Sequence, residues 1–397
     1  MTAYAIEWLS LLGRWLHFIA GIAWIGSSFY FVWLDNHLQK PASAADENAG
    51  VGGELWSVHG GGFYHAQKYR VSPAQLPETL HWFKWEAYTT WLSGMFLLVL
   101  LYWVGAEVYL VDRSLFDLSQ AGAIGISAAT IAGGWLIYDV MCKSPLARND
   151  RMLGTAVTLF AFIAAFGLCQ VFSGRGAFMH FGAMLGTIMA ANVYFVIIPG
   201  QRKMVAAAQR GESVDPKPGI TAKQRSVHNT YFTLPVLFVM VSNHYAMTYT
   251  HAYNWLILIA ISVAGALIRV FFVARHKGSA SFVPLAVALV LLAGVAAAIA
   301  PRATTAGSVA APQASIAEVQ RIVETRCVTC HAASPAHTAF AAAPAGVMLE
   351  SVAQIRSESG RIYQQTVVLR AMPIGNLTQI TEAERAVIAH WYAGIDR

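Results

Sequence analysis

Eight apolar windows, each bounded by short polar flanks, leave this chain few ways to fold. They run over roughly 8–34, 85–106, 119–141, 152–172, 177–198, 230–249, 252–274 and 281–300. About 20 apolar residues in helical form cross a hydrocarbon core of about 30 Å. A segment that crosses must satisfy its own backbone, which a helix does. Composition agrees: 56% of the 397 residues are hydrophobic and 12% are charged, against about 25% charged in an ordinary globular domain. That excludes a simple soluble enzyme, a disordered chain and a nucleic-acid binder. The expectation is an all-α chain: a polytopic transmembrane bundle of about eight helices over residues 1–300, with one small domain behind it. Pro235 interrupts the sixth window, so a neighbour must satisfy the freed carbonyl there. No Lys or Arg precedes Arg14, and Glu7 stands in that stretch. This is not the layout of a signal peptide, and the first window reads as a retained helix.

The loops carry charge unequally. Lys40, Lys68, Arg70 and Lys84 follow the first window; Lys143, Arg148 and Arg151 the third; Arg202, Lys203, Arg210, Lys217, Lys223 and Arg225 the fifth; Arg275 and Lys277 the seventh. The opposite loops hold only Arg113 and Arg175. The basic side belongs in the cytoplasm. The N-terminus and the C-terminal domain then lie outside a bacterial inner membrane, in the periplasm. The long first loop is cytoplasmic. It holds Gly52-Gly53-Glu54-Leu55-Trp56 and His59-Gly60-Gly61-Gly62-Phe63-Tyr64-His65. Its length and aromatics point to an ordered segment, either functional or capping the bundle.

Residues 301–314 read as a linker and 315–397 as the small domain. Ser315 with Glu318, and Thr381 with Glu384, have the spacing of capping boxes that open helices. Cys327-Val328-Thr329-Cys330-His331 is a C-x-x-C-H motif for covalent haem attachment. Cys327 and Cys330 would form the thioethers, and His331 would be the proximal iron ligand. Met372, followed by Pro373 in a turn-like segment, is the favoured distal ligand, with Met348 as the alternative. A zinc site is the rival, but no second Cys/His pair completes four ligands. The domain therefore reads as a class I cytochrome c carrying haem c. The remaining cysteines, Cys142 and Cys169, fall near opposite membrane faces and should stay unpaired. Covalent haem attachment takes place outside the bacterial cytoplasm, which agrees with the charge count.

Ionisable groups inside windows are candidates for function. His17, His180 and His244 gather toward the outer leaflet. They are either ligands of a haem b in the membrane domain or polar contacts between helices. Toward the cytoplasm lie Lys84, Glu86, Asp139 and Arg269, which with His65, His81 and His228 could line an inward pocket or simply reach to water.

These residues resemble the bacterial membrane-bound urate oxidase, or urate hydroxylase, family with a fused C-terminal cytochrome c. The resemblance rests on Arg14-Trp15-Leu16-His17, Trp24 to Tyr30, His59 to Tyr64, Trp82 to Tyr88, Lys143 to Leu146 with Arg148-Asn149-Asp150, Phe172 to Phe178, Asn192 to Pro199, and Ser242-Asn243-His244-Tyr245. It implies oxidation of urate to 5-hydroxyisourate, with electrons leaving through cytochrome c for an external acceptor such as a terminal oxidase or soluble cytochrome. On that reading Lys84 or Arg269 would offset the urate charge, and Glu86 or Asp139 would act as general base. The residues alone reach only an oxidoreductase in the lipid bilayer delivering electrons to an outward cytochrome c. Another membrane dehydrogenase, for example quinol-linked, or a membrane-anchored cytochrome c electron carrier would share that much.

Overall fold

The computed structural model describes residues 2–300 and 314–395, so all of the expected linker except Ala314 lies outside the described residues. The first unit contains helices α1 (Thr2–His37), α2 (Ala44–Asn48), α3 (Trp85–Leu98), α4 (Ala106–Tyr109), α5 (Gln120–Lys143) and α6 (Asp150–Val171). It continues with α7 (Gly174–Ala191), α8 (Ile198–Gln209), α9 (Lys217–Ser242), α10 (Ala246–Tyr249), α11 (Asn254–His276) and α12 (Val283–Ala298). Side chains set several of the starts. Ser119 caps α5 by accepting from the Gly122 amide, Asn149 caps α6 through the Arg151 and Met152 amides, and Ser173 caps α7 through Gly176. Such caps satisfy amides that have no partner inside the helix.

Every apolar window contains a helix, but among the described residues five helices are long and apolar enough to cross a membrane: Ala3–His37, Gln120–Lys143, Asp150–Val171, Gly174–Gln209 and Asn254–His276. The other three windows depart for different reasons. α3 passes after 14 residues into a π-helical segment, Val99–Trp103. α12 has only 16 residues. The sixth window was expected over 230–249; its helix begins at Lys217 and ends at Ser242, so its first half is polar. Pro235 stays inside α9, and Gly265 lets α11 close on it: a Cβ there would meet Pro235 nitrogen at 3.4 Å. A second π segment, Asn192–Ile197, joins α7 to α8 just before Pro199. Widening the turn there relieves the clash of the proline ring with the preceding turn.

α7 is the hub. It is buried along most of its length and packs against α5, α6 and α9. Glycines permit that approach. A Cβ on Gly134 would fall 2.4 Å from Met184 Cγ, and one on Gly182 would fall 2.6 Å from Val239 Cγ1. Small residues of this kind let membrane helices approach closely. Gly182→Val must push α7 and α9 apart, and about 1–3 kcal/mol of lost stability is expected from overpacking. Thermal unfolding in detergent checks this, and an unchanged midpoint would contradict the packing.

The all-α expectation needs one correction. The long first loop contains a two-stranded antiparallel hairpin, β1 (Val51–His59) and β2 (Gly62–Tyr69). Gly60 and Gly61 form its turn with φ of 58° and 81°. Positive φ at both central residues matches the twist of paired strands and favours glycine. Glu54 ties the hairpin down. Its Oε1 accepts from the Ala42 amide and its Oε2 lies 2.9 Å from His65 Nε2, while Trp56 stacks on the His65 ring. The Ala42 amide above all holds the Glu54 carboxyl below its usual range.

The second unit holds α13 (Ile316–Arg326), α14 (Val352–Ser357), α15 (Ser359–Tyr363) and α16 (Glu382–Ala393). Capping boxes at Ser315/Glu318 and Thr381/Glu384 open α13 and α16 as their spacing predicts. Val319, Val323, Ile355, Ile388 and Trp391 fill its core. This unit rests on α4: a Cβ on Gly375, whose φ is 55°, would meet Val111 carbonyl oxygen at 3.0 Å.

Candidate functional site

α13 stops at Arg326, and the chain then turns tightly, with the Cys330 and His331 amides both donating to the Cys327 carbonyl. A cavity of about 370 Å³ opens there, lined by Cys327, Cys330, His331, Val347, Leu349 and Met372. His331 is held once at its ring and once at its backbone. Its Nδ1–H donates to the Val347 carbonyl at 2.9 Å, and the Leu349 amide donates to the His331 carbonyl at 2.8 Å. Nε2 is thereby left as the acceptor nitrogen, the arrangement of a histidine that ligates a metal. Met372 faces the same space, and its carbonyl accepts from Arg385 Nη1 at 3.1 Å. Arg385 also donates to the Thr366 carbonyl. Met348, the alternative ligand, is absent from the cavity wall and 40% exposed.

Burial pushes the Cys327 thiol up to about 12 and raises Cys330 as well. At the rim Arg326 pairs with Glu384 at 3.1 Å and donates to the Thr378 carbonyl at 2.6 Å. Burial alone would raise the Glu384 carboxyl. The Thr381 amide and Arg326 outweigh it and hold the group below its usual range. Two thiols, one oriented imidazole and a facing thioether around an apolar hollow are the donor set that a thioether-linked haem requires. Among the described residues no three His, Cys, Asp or Glu side chains gather as a bare metal site would require.

A larger cavity, about 470 Å³, lies between α1, α3, α7 and α9. It is lined by Arg14, His17, Tyr102, Arg175, Asn243 and His244 among mostly apolar side chains. His180 is not part of it. That ring is fully buried with both nitrogens engaged: Nδ1–H donates to the Gly176 carbonyl at 2.8 Å, and Nε2 sits 2.6 Å from Ser127 Oγ. Of these three histidines, His17 and His244 share a cavity. Arg175 donates from Nε to Asn243 Oδ1 and lies over the Tyr109 ring, so this cavity borders α4. Val108, one residue earlier, lines the smaller cavity.

Lys84, Glu86, Asp139 and Arg269 do not converge as one set. Asp139 is taken up by Arg225 at 2.7 Å and Lys143 at 2.5 Å. Lys84 lies at the start of α3 with Nζ 5.7 Å from the Trp85 ring centre. Arg269 is buried against the Phe29 ring at 3.8 Å, and its Nε and Nη2 have no hydrogen-bond partner; Glu86 Oε2 has none either. α1 and α3 run antiparallel, with His17 against Thr90 and Phe31 against Phe83. That register puts Phe29 and Glu86 within about one helical turn of the same depth.

A network that sequence reasoning missed surrounds Arg225. Arg225 Nη1 donates to Asn192 Oδ1, and Asn192 Nδ2 donates to Tyr138 Oη and Asn229 Oδ1. Tyr138 Oη in turn lies 2.7 Å from His228 Nδ1. Asn192 inside the fifth apolar window and Asn229 at the edge of the sixth were the available signal. Arg225 itself was counted only as a loop charge, although the fold buries it almost completely.

No curated protein and no solved structure matches the chain. Residues 3–300, well over half of its length and the whole of the helical unit before the linker, match the family model described as urate oxidase N-terminal. By that match the chain belongs to the urate oxidase N-terminal family.

Proposed function

We propose that the chain oxidises urate to 5-hydroxyisourate in a bacterial inner membrane and passes the electrons to its own C-terminal domain, a cytochrome c. Urate and water give the product, two electrons and two protons. The observation that carries this reading is the Cys327–Cys330–His331–Met372 cavity resting on α4 of a bundle of this family.

A haem held there would supply a one-electron centre, and a Met372 thioether ligand would raise its potential. The chain's own residues do the rest. Cys327 and Cys330 would hold the haem through thioethers; the Val347 carbonyl orients His331, and Arg385 fixes the Met372 backbone. At the inner end Arg269 offsets the urate charge with its free guanidinium nitrogens. Of the two carboxylates, Glu86 suits the role of general base for the attacking water, because Asp139 is already committed to two cations. A base must reach the proton it removes. The electrons leave for an external acceptor such as a terminal oxidase or soluble cytochrome.

Anaerobic addition of urate to the purified full chain is expected to reduce the c-type absorption band. Reduction by a quinol but not by urate, in haem-loaded protein, would instead identify a quinol-linked dehydrogenase.

A further inference from the structure

The larger cavity has features that the proposed cytochrome reading does not use. We propose that it binds a second, non-covalent haem, a haem b, with His17 and His244 as the axial pair and Arg14 and Arg175 facing its propionates.

The two imidazoles come from separate elements, α1 and the turn between α9 and α10. His17 repeats the arrangement found at His331. Its Nδ1–H donates to the Thr90 carbonyl at 2.9 Å, with Ser93 Oγ at 3.0 Å, so the lone pair lies on Nε2. A backbone carbonyl on the other ring nitrogen fixes the tautomer and orientation of a metal-ligating histidine. Two imidazoles without a third donor do not complete the shell of a bare ion, and a macrocycle supplies the missing equatorial nitrogens.

The cavity also has the polarity of such a ligand. Its walls are mainly apolar, and backbone reaches them directly: a Cβ on Gly186 would meet nothing within 4 Å, and one on Gly21 only Thr90 Cγ2 at 4.0 Å. The cations stand together with the histidines. Neither Arg14 nor Arg175 pairs with a carboxylate among the described residues; Arg175 reaches the Asn243 amide oxygen and the Tyr109 ring. Arginine forks match carboxylates in pairs, and two propionates on one edge of a porphyrin meet that need. Urate would satisfy the arginines but leave most of this apolar volume without a partner.

The test uses the full chain purified from membranes. Acidified organic solvent extracts non-covalent haem and leaves thioether-linked haem with the polypeptide, so the two fractions are read separately. Haem in the extract is expected from the unaltered protein. His17→Ala and His244→Ala are each expected to lose it while keeping the covalent fraction, and an unchanged size-exclusion profile in detergent shows that the bundle of each variant still folds. Arg175→Gln keeps both ligands and is expected to weaken retention about tenfold, as loss of an outer-shell partner does. An extract without haem from the unaltered protein, or wild-type amounts from both histidine variants, overturns the site. Failure of the cytochrome reading shows elsewhere, as a missing covalent fraction.

Discussion

Cys330→Ala, combined with Cys327→Ala, is expected to abolish urate-driven electron delivery while leaving the bundle in the membrane. Both thiols line the cavity that His331 and Met372 face, and no other cysteine is near enough to substitute: Cys142 and Cys169 are buried in the bundle. A fall of about a hundredfold or more in acceptor reduction corresponds to about 2.7 kcal/mol of barrier. Met372→Ala separates attachment from tuning. It is expected to keep the covalent haem but lower its potential, because the thioether is the ligand that raises it. A redox titration reads the difference. An unchanged potential would hand the role to another residue, Met348 first.

The second large effect concerns Arg225. Its side chain is nearly inaccessible, and it holds Asp139 and Asn192 together across α5, α9 and the π segment after α7. Removing one partner of a buried ion pair leaves an uncompensated charge and costs about 3–5 kcal/mol. Arg225→Met should fall at the lower end, since Lys143 still reaches Asp139. Adding Asp139→Asn should recover part of the loss, because the orphaned charge is then gone. Thermal unfolding in detergent for both singles and the double measures the coupling, and strictly additive losses would argue against it.

The parts of this architecture legible in sequence are those written in neighbouring residues. Apolar runs placed a helix in every window. Ser315 with Glu318 and Thr381 with Glu384 announced two helix starts, and Cys327, Cys330 and His331 within five consecutive residues announced side chains that line one cavity. What stayed hidden depends on partners far along the chain. His180 reads as a ligand until Ser127, 53 residues away, is seen on its Nε2. Arg225 reads as a loop charge until Asp139, 86 residues away, is seen to pair with it. The start of α9 was invisible for another reason: Lys217 to Asn229 is polar, and hydropathy finds helices only where they are apolar. The Gly60–Gly61 turn was within reach, but the glycines in Val51–His59 blurred the alternation that marks a strand.

The seat on α4 has a kinetic consequence. On the proposed reading, donor unit and acceptor unit belong to one polypeptide, and Gly375 already lies against the carbonyls of Val108 and Val111. Their meeting is a first-order event governed by local effective concentration, with no bimolecular search. Spreading the protein thinly through added lipid should leave the internal transfer rate untouched while slowing every exchange with freely diffusing carriers.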